Sequence, residues 1–436
     1  MLAYDVVVVG GGTAGAAAGI AAARQGARTL IVEQLGSLGG TQANGWVTPM
    51  MPNYLGEFKL NRGVNLDIIR EQNVAQPSSE DGTSHGDVWY DPIYLAYVLD
   101  QLTSAAGAEC LFNATLIDVR KNGDVVEAIE VATRQGRLWI EAKTFIDCSG
   151  DGELSRLAGA EMMGGNEDGA HQPMTLRFTM GNVDIAAMRA GFAHFGINHE
   201  QHVELGFGEA KTAPVLGDWV REGIAAGVLQ EDDLGYFQFF TMNGRPGELA
   251  FNAPRIAGLD PLDALELSRA YQVGRAKIYR IATFLRRWFP GFGDAFVSGI
   301  APLMGIRESR RVVGEYIVTA ADHQSCRKFP NPVARNRYPV DIHLVFGVDF
   351  RHMPKGDWHD VPYEAIVVRG VRNLWVAGRC LSADFVAQSS IRIQPVCRSL
   401  GEAAGVAAAI AAAEGFAARE VPYDRLAAKL DLSVPE

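Results

Sequence analysis

Residues 4–33 constrain this chain more than any other segment. Tyr4-Asp5-Val6-Val7-Val8-Val9 reads as a strand buried on both faces, and it runs straight into Gly10-Gly11-Gly12-Thr13-Ala14-Gly15. An Ala-rich helix from Ala16 to Gln25 comes next, with Gly19 one turn into it, and a second strand over Ala27–Val32 ends at Glu33. Strand, turn, helix, strand and acid in that order form a dinucleotide-binding unit. Gly10 permits the tight turn, Gly12 lets the backbone approach a pyrophosphate, and Gly15 lets the helix pack close to the strand. The first-turn N–H groups, beginning at Thr13 and Ala14, and the helix dipole then face the phosphates. Glu33 is placed to accept hydrogen bonds from the adenosine ribose. The competing reading is a glycine-rich turn that holds no nucleotide.

Length and charge limit what surrounds this unit. At 436 residues the chain exceeds what one simple core holds, so two joined domains are expected. The net charge of −11 argues against nucleic acid and against an anionic membrane surface as main partners. The first strand begins at residue 4, which leaves no room for a cleaved leader, and no apolar run of spanning length lacks a polar or Gly interruption. Cys110, Cys148, Cys326, Cys380 and Cys397 are scattered without a C-x-x-C, which disfavours iron–sulfur, structural zinc and dithiol chemistry. His194, His199 and His202 lie close together, but no cysteine or carboxylate frames them, so no metal is expected. A cytoplasmic location is the corresponding expectation.

The segment after Glu33 favours FAD over NAD. Residues 36–52 are a small-residue loop and not a second crossover, and the bare backbone of Gly39, Gly40 and Thr41 can lie flat against a ligand. FAD is long enough to pass this loop and bring its ring system toward Asn44 and Gly45. An irregular surface loop is the alternative. Asp91-Pro92 opens an amphipathic helix that ends at Gly107, and strands are expected at 111–119, 125–133 and 137–146. The last runs into Asp147-Cys148-Ser149-Gly150-Asp151-Gly152. Near the C-terminus, Asn373–Arg379 reads as another buried strand ending on Gly378, and Ile391-Arg392-Ile393-Gln394-Pro395 leads into a long helix over Val396–Ala412. Free N–H groups at that helix start can stabilise negative charge on a reduced flavin. A packed terminal helix with nothing at its start is the plainer reading.

Together these segments resemble the bacterial FAD-dependent oxidoreductases, which share the glutathione-reductase type of FAD fold and are distant kin of the fumarate reductase and succinate dehydrogenase flavoproteins. The resemblance rests on the Gly10–Glu33 unit, Leu38-Gly39-Gly40-Thr41, Tyr90-Asp91-Pro92 and Asp147–Gly152. It continues through Gly305–Tyr316, Tyr338–His343, Val361-Pro362-Tyr363, Asn373–Ser382 and Gly401-Glu402-Ala403-Ala404-Gly405. It implies an α/β fold, with a Rossmann-like FAD-binding domain formed by residues 1–160 and 366–436 and an inserted α+β substrate domain over 161–365. It also implies that Ser149, Gly150, Asp151, Gly378 and Arg379 line the flavin site. Gln34, Leu116, Arg392, Ile393 and Gln394 complete the expected cofactor contacts. The chain departs from related sequences at Asp384-Phe385, where a polar residue followed by His is common.

The inserted region is less legible. Residues 164–169 read as a flexible stretch, 174–180 as a strand and 261–288 as a helix with a basic, solvated side. Tyr236, Phe237, Phe239 and Phe240 belong either to a core strand or to a pocket wall over the flavin. Arg307, Glu308, Arg310 and Arg311 alternate along an expected strand that continues through Val313. Arg307 and Ser309 share one face and Glu308 and Arg310 the other; one of these pairs is expected to hold a carboxylate, a sugar hydroxyl or the flavin edge, and an Arg–Glu network tying the two domains together is the alternative. His343 is the first choice for a general base, against a satisfied structural histidine, with His171, His352 and His359 behind it.

The expected activity draws on these parts. FAD accepts a hydride from a small hydroxyl-bearing substrate such as a sugar or polyol, with His343, Arg307 and Glu308 as catalytic candidates. The reverse use, saturation of an activated C=C bond with an arginine donating the proton, is the main alternative. A flavin monooxygenase and a non-catalytic FAD protein are the others. No second G-x-G-x-x-G appears, so electrons would leave to oxygen, a quinone, a carrier protein or an NAD(P)H site without that fingerprint.

Overall fold

Val6, Val7 and Val8 are fully enclosed because the strand that carries them, Leu2–Val9, has a parallel neighbour on each side. Those neighbours are Thr29–Val32 and Gly136–Asp147. The computed structural model describes residues 2–76, 90–194, 214–242, 244–345 and 347–434. Glu109–Leu111 extends the parallel edge beyond Thr29–Val32, and Leu374–Val376 runs parallel to the end of Gly136–Asp147. The first half of Gly136–Asp147 instead carries the antiparallel pair Val125–Thr133 and Thr115–Asn122. The sheet has seven strands.

The expected strand 111–119 divides in two. Glu109–Leu111 pairs with the parallel edge, and the chain then turns through Asn113, at φ 52°, before Thr115–Asn122 joins the antiparallel strands. The division is made by Glu33, whose backbone N–H donates to Leu111 O and whose carbonyl accepts from Ala114 N.

Alanine and glycine decide how the helices cover this sheet. Thr13–Arg24 packs against the C-terminal helix Gln394–Glu414 at unusually close range. A methyl at Gly401 or Gly405 would collide with the carbonyls of Ala14 and Ala18, so only glycine allows this spacing. Gln394–Glu414 is long and apolar enough to cross a membrane by length and composition, but 89% of its apolar window is buried inside the protein. Pro92–Ala106 starts where Asp91 accepts from Ile93 N and stops at Gly107 in the left-handed conformation.

A second, four-stranded antiparallel sheet is ordered Phe239–Thr241, Leu249–Phe251, Phe178–Gly181 and Phe296–Ile300. Phe237, Phe239, Phe251, Phe284, Phe289 and Phe292 make its core against the helix Ala264–Trp288. The expected strand 174–180 breaks at Leu176–Arg177 into Met174–Thr175 and Phe178–Gly181. On the long helix, Arg269, Arg275, Arg286 and Arg287 are exposed as expected. Lys277 and Arg280 are not part of that solvated side, because they pair with Asp232 and Asp233. The two sheets are tied through Arg245, which grips Asp91 with two hydrogen bonds of 2.6 and 3.0 Å.

The fold is therefore α/β, a Rossmann-like unit with an α+β insert. The expected strand 307–313 is much shorter in fact. Only Arg310–Val312 forms a strand, paired with Met162–Gly164.

Candidate functional site

Five backbone segments meet at the end of the parallel strands. Gly10 takes φ 92° and backs onto Cys148 and Ser149. A methyl at Gly40 would stand 2.8 Å from Gly12 Cα, which shows how closely the Gly39–Thr41 loop overlies the first turn. Gly378, at φ 93°, lies over Ala14, whose Cβ is 3.2 Å from where its own would be. Arg379 reaches across to Asp151 Oδ1 (2.8 Å) and Ser309 Oγ (3.2 Å). Gln394 donates to Pro49 O (2.8 Å) and accepts from Met51 N (3.1 Å), which fixes the start of the C-terminal helix beside the loop after Gly45.

This cradle fits an FAD on its own chemistry. The helix Thr13–Arg24 has no side-chain cap at Gly12, and a methyl on Gly12 would meet nothing nearer than Gly40 Cα at 3.8 Å. The N–H groups of Thr13, Ala14 and Gly15 have no backbone acceptor among the described residues and are left to an anion. Glu33 accepts from Gly11 N (2.7 Å) and Leu35 N (2.8 Å), and each carboxylate oxygen retains a lone pair for a hydroxyl. Burial raises Glu33 above the ordinary carboxyl range, with the two N–H contacts opposing. Asn44 accepts from Ser37 through Oδ1, while its buried Nδ2 has no partner among the described residues. Ser149 bonds Asp147 and accepts from Glu153 N, holding the Gly150 turn, itself at φ 81°. Of the remaining expected contacts, Gln34 is exposed and Leu116 packs into the hydrophobic cluster beside Val131.

Beside the cradle, and mainly from the insert, comes a buried cluster of polar side chains, called the chamber for the ligand space it is proposed to enclose. Arg307 donates through Nη1 to Pro173 O (2.7 Å) and Thr175 Oγ1 (2.8 Å). Arg392 donates to Gln172 Oε1, Arg307 O and Asp341 O at 2.9–3.1 Å. Arg255 donates to Leu344 O, Gly347 O and His343 Nδ1, each at 2.6 Å, with its guanidinium 4.1 Å over the Tyr236 ring. Arg177 makes one hydrogen bond among the described residues, a 3.4 Å contact to Trp46 O that joins the chamber to the loop of the cradle. Three polar atoms of this network are buried without a partner among the described residues, Gln172 Nε2, Arg255 Nε and Gln388 Oε1, while Asp341 Oδ1 has only the His343 ring beside it, at 3.2 Å.

Charge in this chamber is unbalanced. Burial pushes Arg307 well below the ordinary guanidinium range, and Arg255, Arg392 and Arg177 add to the effect, with Asp341 opposing. Burial likewise brings Arg177 and Arg255 down to about 10. His343 is pushed down to about 3 by burial and then by Arg307, so it is neutral near pH 7. Its Nδ1 accepts from Arg255, which puts the ring proton on Nε2, 3.2 Å from Asp341 Oδ1. Burial opposes ionisation of Asp341, but His343 and then Arg392 and Arg307 outweigh it and hold that carboxyl at about 2.

The candidate residues thus separate. Arg307 and His343 stand in the chamber. Glu308 faces away and is fully engaged by Gly165 N, His171 Nδ1 and Arg311, so it fastens residues 164–171 to 307–311. His359 is buried beside Asn336, and His352 is exposed. Of the aromatic segment, Phe237, Phe239 and Phe240 are core while Tyr236 lines the chamber. Asp384 caps the helix Phe385–Ile391, and Phe385 lies under Arg311. His199 and His202 fall outside the described residues, and among those described no group of three potential metal ligands converges. Sequence reasoning missed Gln172, Arg177, Arg255, Asp341 and Gln388. Only Asp341 carried a signal, as the alternating neighbour of His343.

Comparison with known proteins points the same way. The family model described as FAD dependent oxidoreductase matches residues 5–430. A search of curated proteins found no match. Among solved structures, a geranylgeranyl bacteriochlorophyll reductase-like protein from Thermoplasma acidophilum is similar at 15% identity and TM-score 0.44, over 98% of this chain and 82% of that one. The p-nitrophenol 4-monooxygenase of Pseudomonas putida is similar at 12% identity and TM-score 0.43, over 72% and 70%. Likenesses this distant carry no argument about substrate.

Proposed function

This chain belongs to the FAD dependent oxidoreductase family, and on that premise we propose that it oxidises a small hydroxyl-bearing organic substrate in the chamber formed by Gln172, Arg177, Arg255, Arg307, Asp341, His343 and Gln388. Bound FAD would supply the two-electron chemistry, taking a hydride from the substrate carbon and passing the electrons to an external acceptor. The first-turn N–H groups of Thr13, Ala14 and Gly15 would hold the pyrophosphate, and Glu33 the adenosine ribose. Asp151 and Arg379 would serve the ribityl hydroxyls. Arg392 and the helix start at Ile393–Gln394 would supply positive potential to the ring system. Residues 1–160 and 366–436 carry the cofactor in this reading, and 161–365 the substrate.

The observation that carries the reading is the set of unpartnered buried polar atoms beside the cradle, because such atoms are costly unless a ligand satisfies them. As the hydride leaves, the hydroxyl proton must go to a protein group. His343 has both nitrogens engaged, Nδ1 by Arg255 and Nε2 by Asp341 Oδ1, so the acceptor that remains is a second lone pair of the Asp341 carboxylate. Asp341 takes the proton, and His343, oriented by Arg255, positions it. A second reading reverses the direction. Arg307, whose proton is weakened by burial and by three neighbouring arginines, would donate it to a C=C bond as that bond is saturated.

The test is an anaerobic visible spectrum of the purified yellow protein before and after adding pooled sugars, polyols and hydroxy acids. Bleaching by a member of the pool is expected. A flavin that stays oxidised with the whole pool, yet is reoxidised after chemical reduction by α,β-unsaturated acids, would replace the first reading with the second.

A further inference from the structure

We propose that the substrate of this chamber carries a carboxylate, received by the free donors of Arg177, Arg255 and Arg307. The proposal rests on reading the chamber as the substrate site. One carboxylate, Asp341, lies 3.9 Å from Arg392 and 3.2 Å from the neutral His343 ring that Arg255 holds, Arg307 is joined to Arg392 through its carbonyl, and Arg177 adds a fourth guanidinium whose charge acts on Arg307. Glu308, the next acid felt by Arg392, is already held by Arg311. Several positive charges are therefore left uncompensated in the interior, where each unpaired ion carries a large desolvation penalty. A guanidinium has five N–H donors in a planar fork. Arg177 uses one of them, in a single long contact to Trp46 O, although only 6% of the residue is exposed. Arg307 donates through Nη1 alone among the described residues, which leaves its other edge available. Arg255 keeps Nε buried and unpartnered while its face rests on Tyr236. Arg392, like Arg255, already has three acceptors, but none of its nitrogens is buried without a partner among the described residues. A neutral sugar or polyol would fill the donors without balancing the charge. A carboxylate does both, with two oxygens spaced for a guanidinium fork.

The unpartnered Gln172 Nε2 and Gln388 Oε1 add one donor and one acceptor beside these arginines. They suit a hydroxyl or carbonyl next to the carboxylate, so a hydroxy acid is the form that fits both this chamber and the proposed oxidation.

The experiment is calorimetric titration of the oxidised FAD-loaded protein at constant ionic strength. The probes are acetate, lactate and succinate, their neutral amides, and inorganic phosphate. At least one carboxylate should bind about a hundredfold tighter than its amide, the scale of a paired charged hydrogen bond lost. Arg307→Met should abolish that preference and Arg307→Lys should keep part of it, with flavin absorbance and circular dichroism confirming that each variant is folded. The acid–amide comparison on the unaltered protein stands even if a variant fails to fold. Amides binding as tightly as acids, phosphate binding more tightly than every carboxylate, or no carboxylate binding would each overturn the proposal. A protein that binds a carboxylate but is not reduced by any donor keeps this proposal and loses the oxidation reading.

Discussion

Gly12→Ala separates cofactor binding from folding more cleanly than any other change in the cradle. Gly12 has φ −68° and ψ −160°, an extended backbone that alanine adopts without strain. The added methyl would meet only Gly40 Cα, at the ordinary contact distance of 3.8 Å. For the protein without FAD the change is neutral or slightly favourable, by about 0.4–1 kcal/mol, because it reduces the freedom of the unfolded chain. In the bound protein the methyl stands on the face through which the pyrophosphate reaches the N–H groups of Thr13 and Ala14. Losing two charge-assisted hydrogen bonds costs roughly 3–6 kcal/mol. That is a fall in FAD affinity of about a hundred- to ten-thousandfold. FAD is titrated into both cofactor-free proteins by fluorescence quenching, and their melting temperatures are compared. The variant should melt at or slightly above the parent without FAD and gain far less from adding it. Retention of FAD affinity within a few-fold, or a lowered melting temperature without cofactor, would refute the assignment of this face to the pyrophosphate.

Packing and charge give two further expected outcomes. Gly401→Ala forces the C-terminal helix off the Ala14 carbonyl, and overpacking of this kind costs about 1–3 kcal/mol, read as a lower denaturant midpoint. A change within error would mean the two helices separate freely. Burial pushes Glu402 up to about 7, with Val64 N–H opposing. A carboxyl raised above its unfolded value of about 4.3 contributes stability that is fully present below that pH and is lost as pH rises through 7. Glu402→Gln removes this slope, so its melting temperature should gain on the parent between pH 5 and 8. Parallel pH profiles for the two proteins would show that Glu402 is not raised.

The sequence by itself determined the Rossmann-like unit, because every part of it is local. Four valines, three glycines at fixed spacing, an Ala-rich helix and a terminal Glu33 specify strand, turn, helix and acid within about thirty consecutive residues. The helix behind Asp91-Pro92 was legible for the same reason, since capping chemistry acts over a few residues. The FAD dependent oxidoreductase family was legible from these motifs taken together. The chamber was not. Its members come from residues 172–177, 255, 307, 341–343 and 388–392, and no period or spacing links them. Arg177 reads in sequence as one residue of a continuous strand, and only the break at Leu176–Arg177 turns it toward Trp46. Arg255 carried no sequence signal, and Lys277 and Arg280 look solvated in sequence because Asp232 and Asp233, which pair with them, lie more than forty residues away. His343 illustrates the limit most directly. Its residue type offered a base near neutral pH, but burial and then Arg307 hold it neutral against the pull of Asp341, while Arg255 on one nitrogen and Asp341 by the other keep it engaged. Residue type sets what a side chain can do, whereas desolvation and the charges within a few ångströms set its protonation, and those neighbours are brought together only by the tertiary fold.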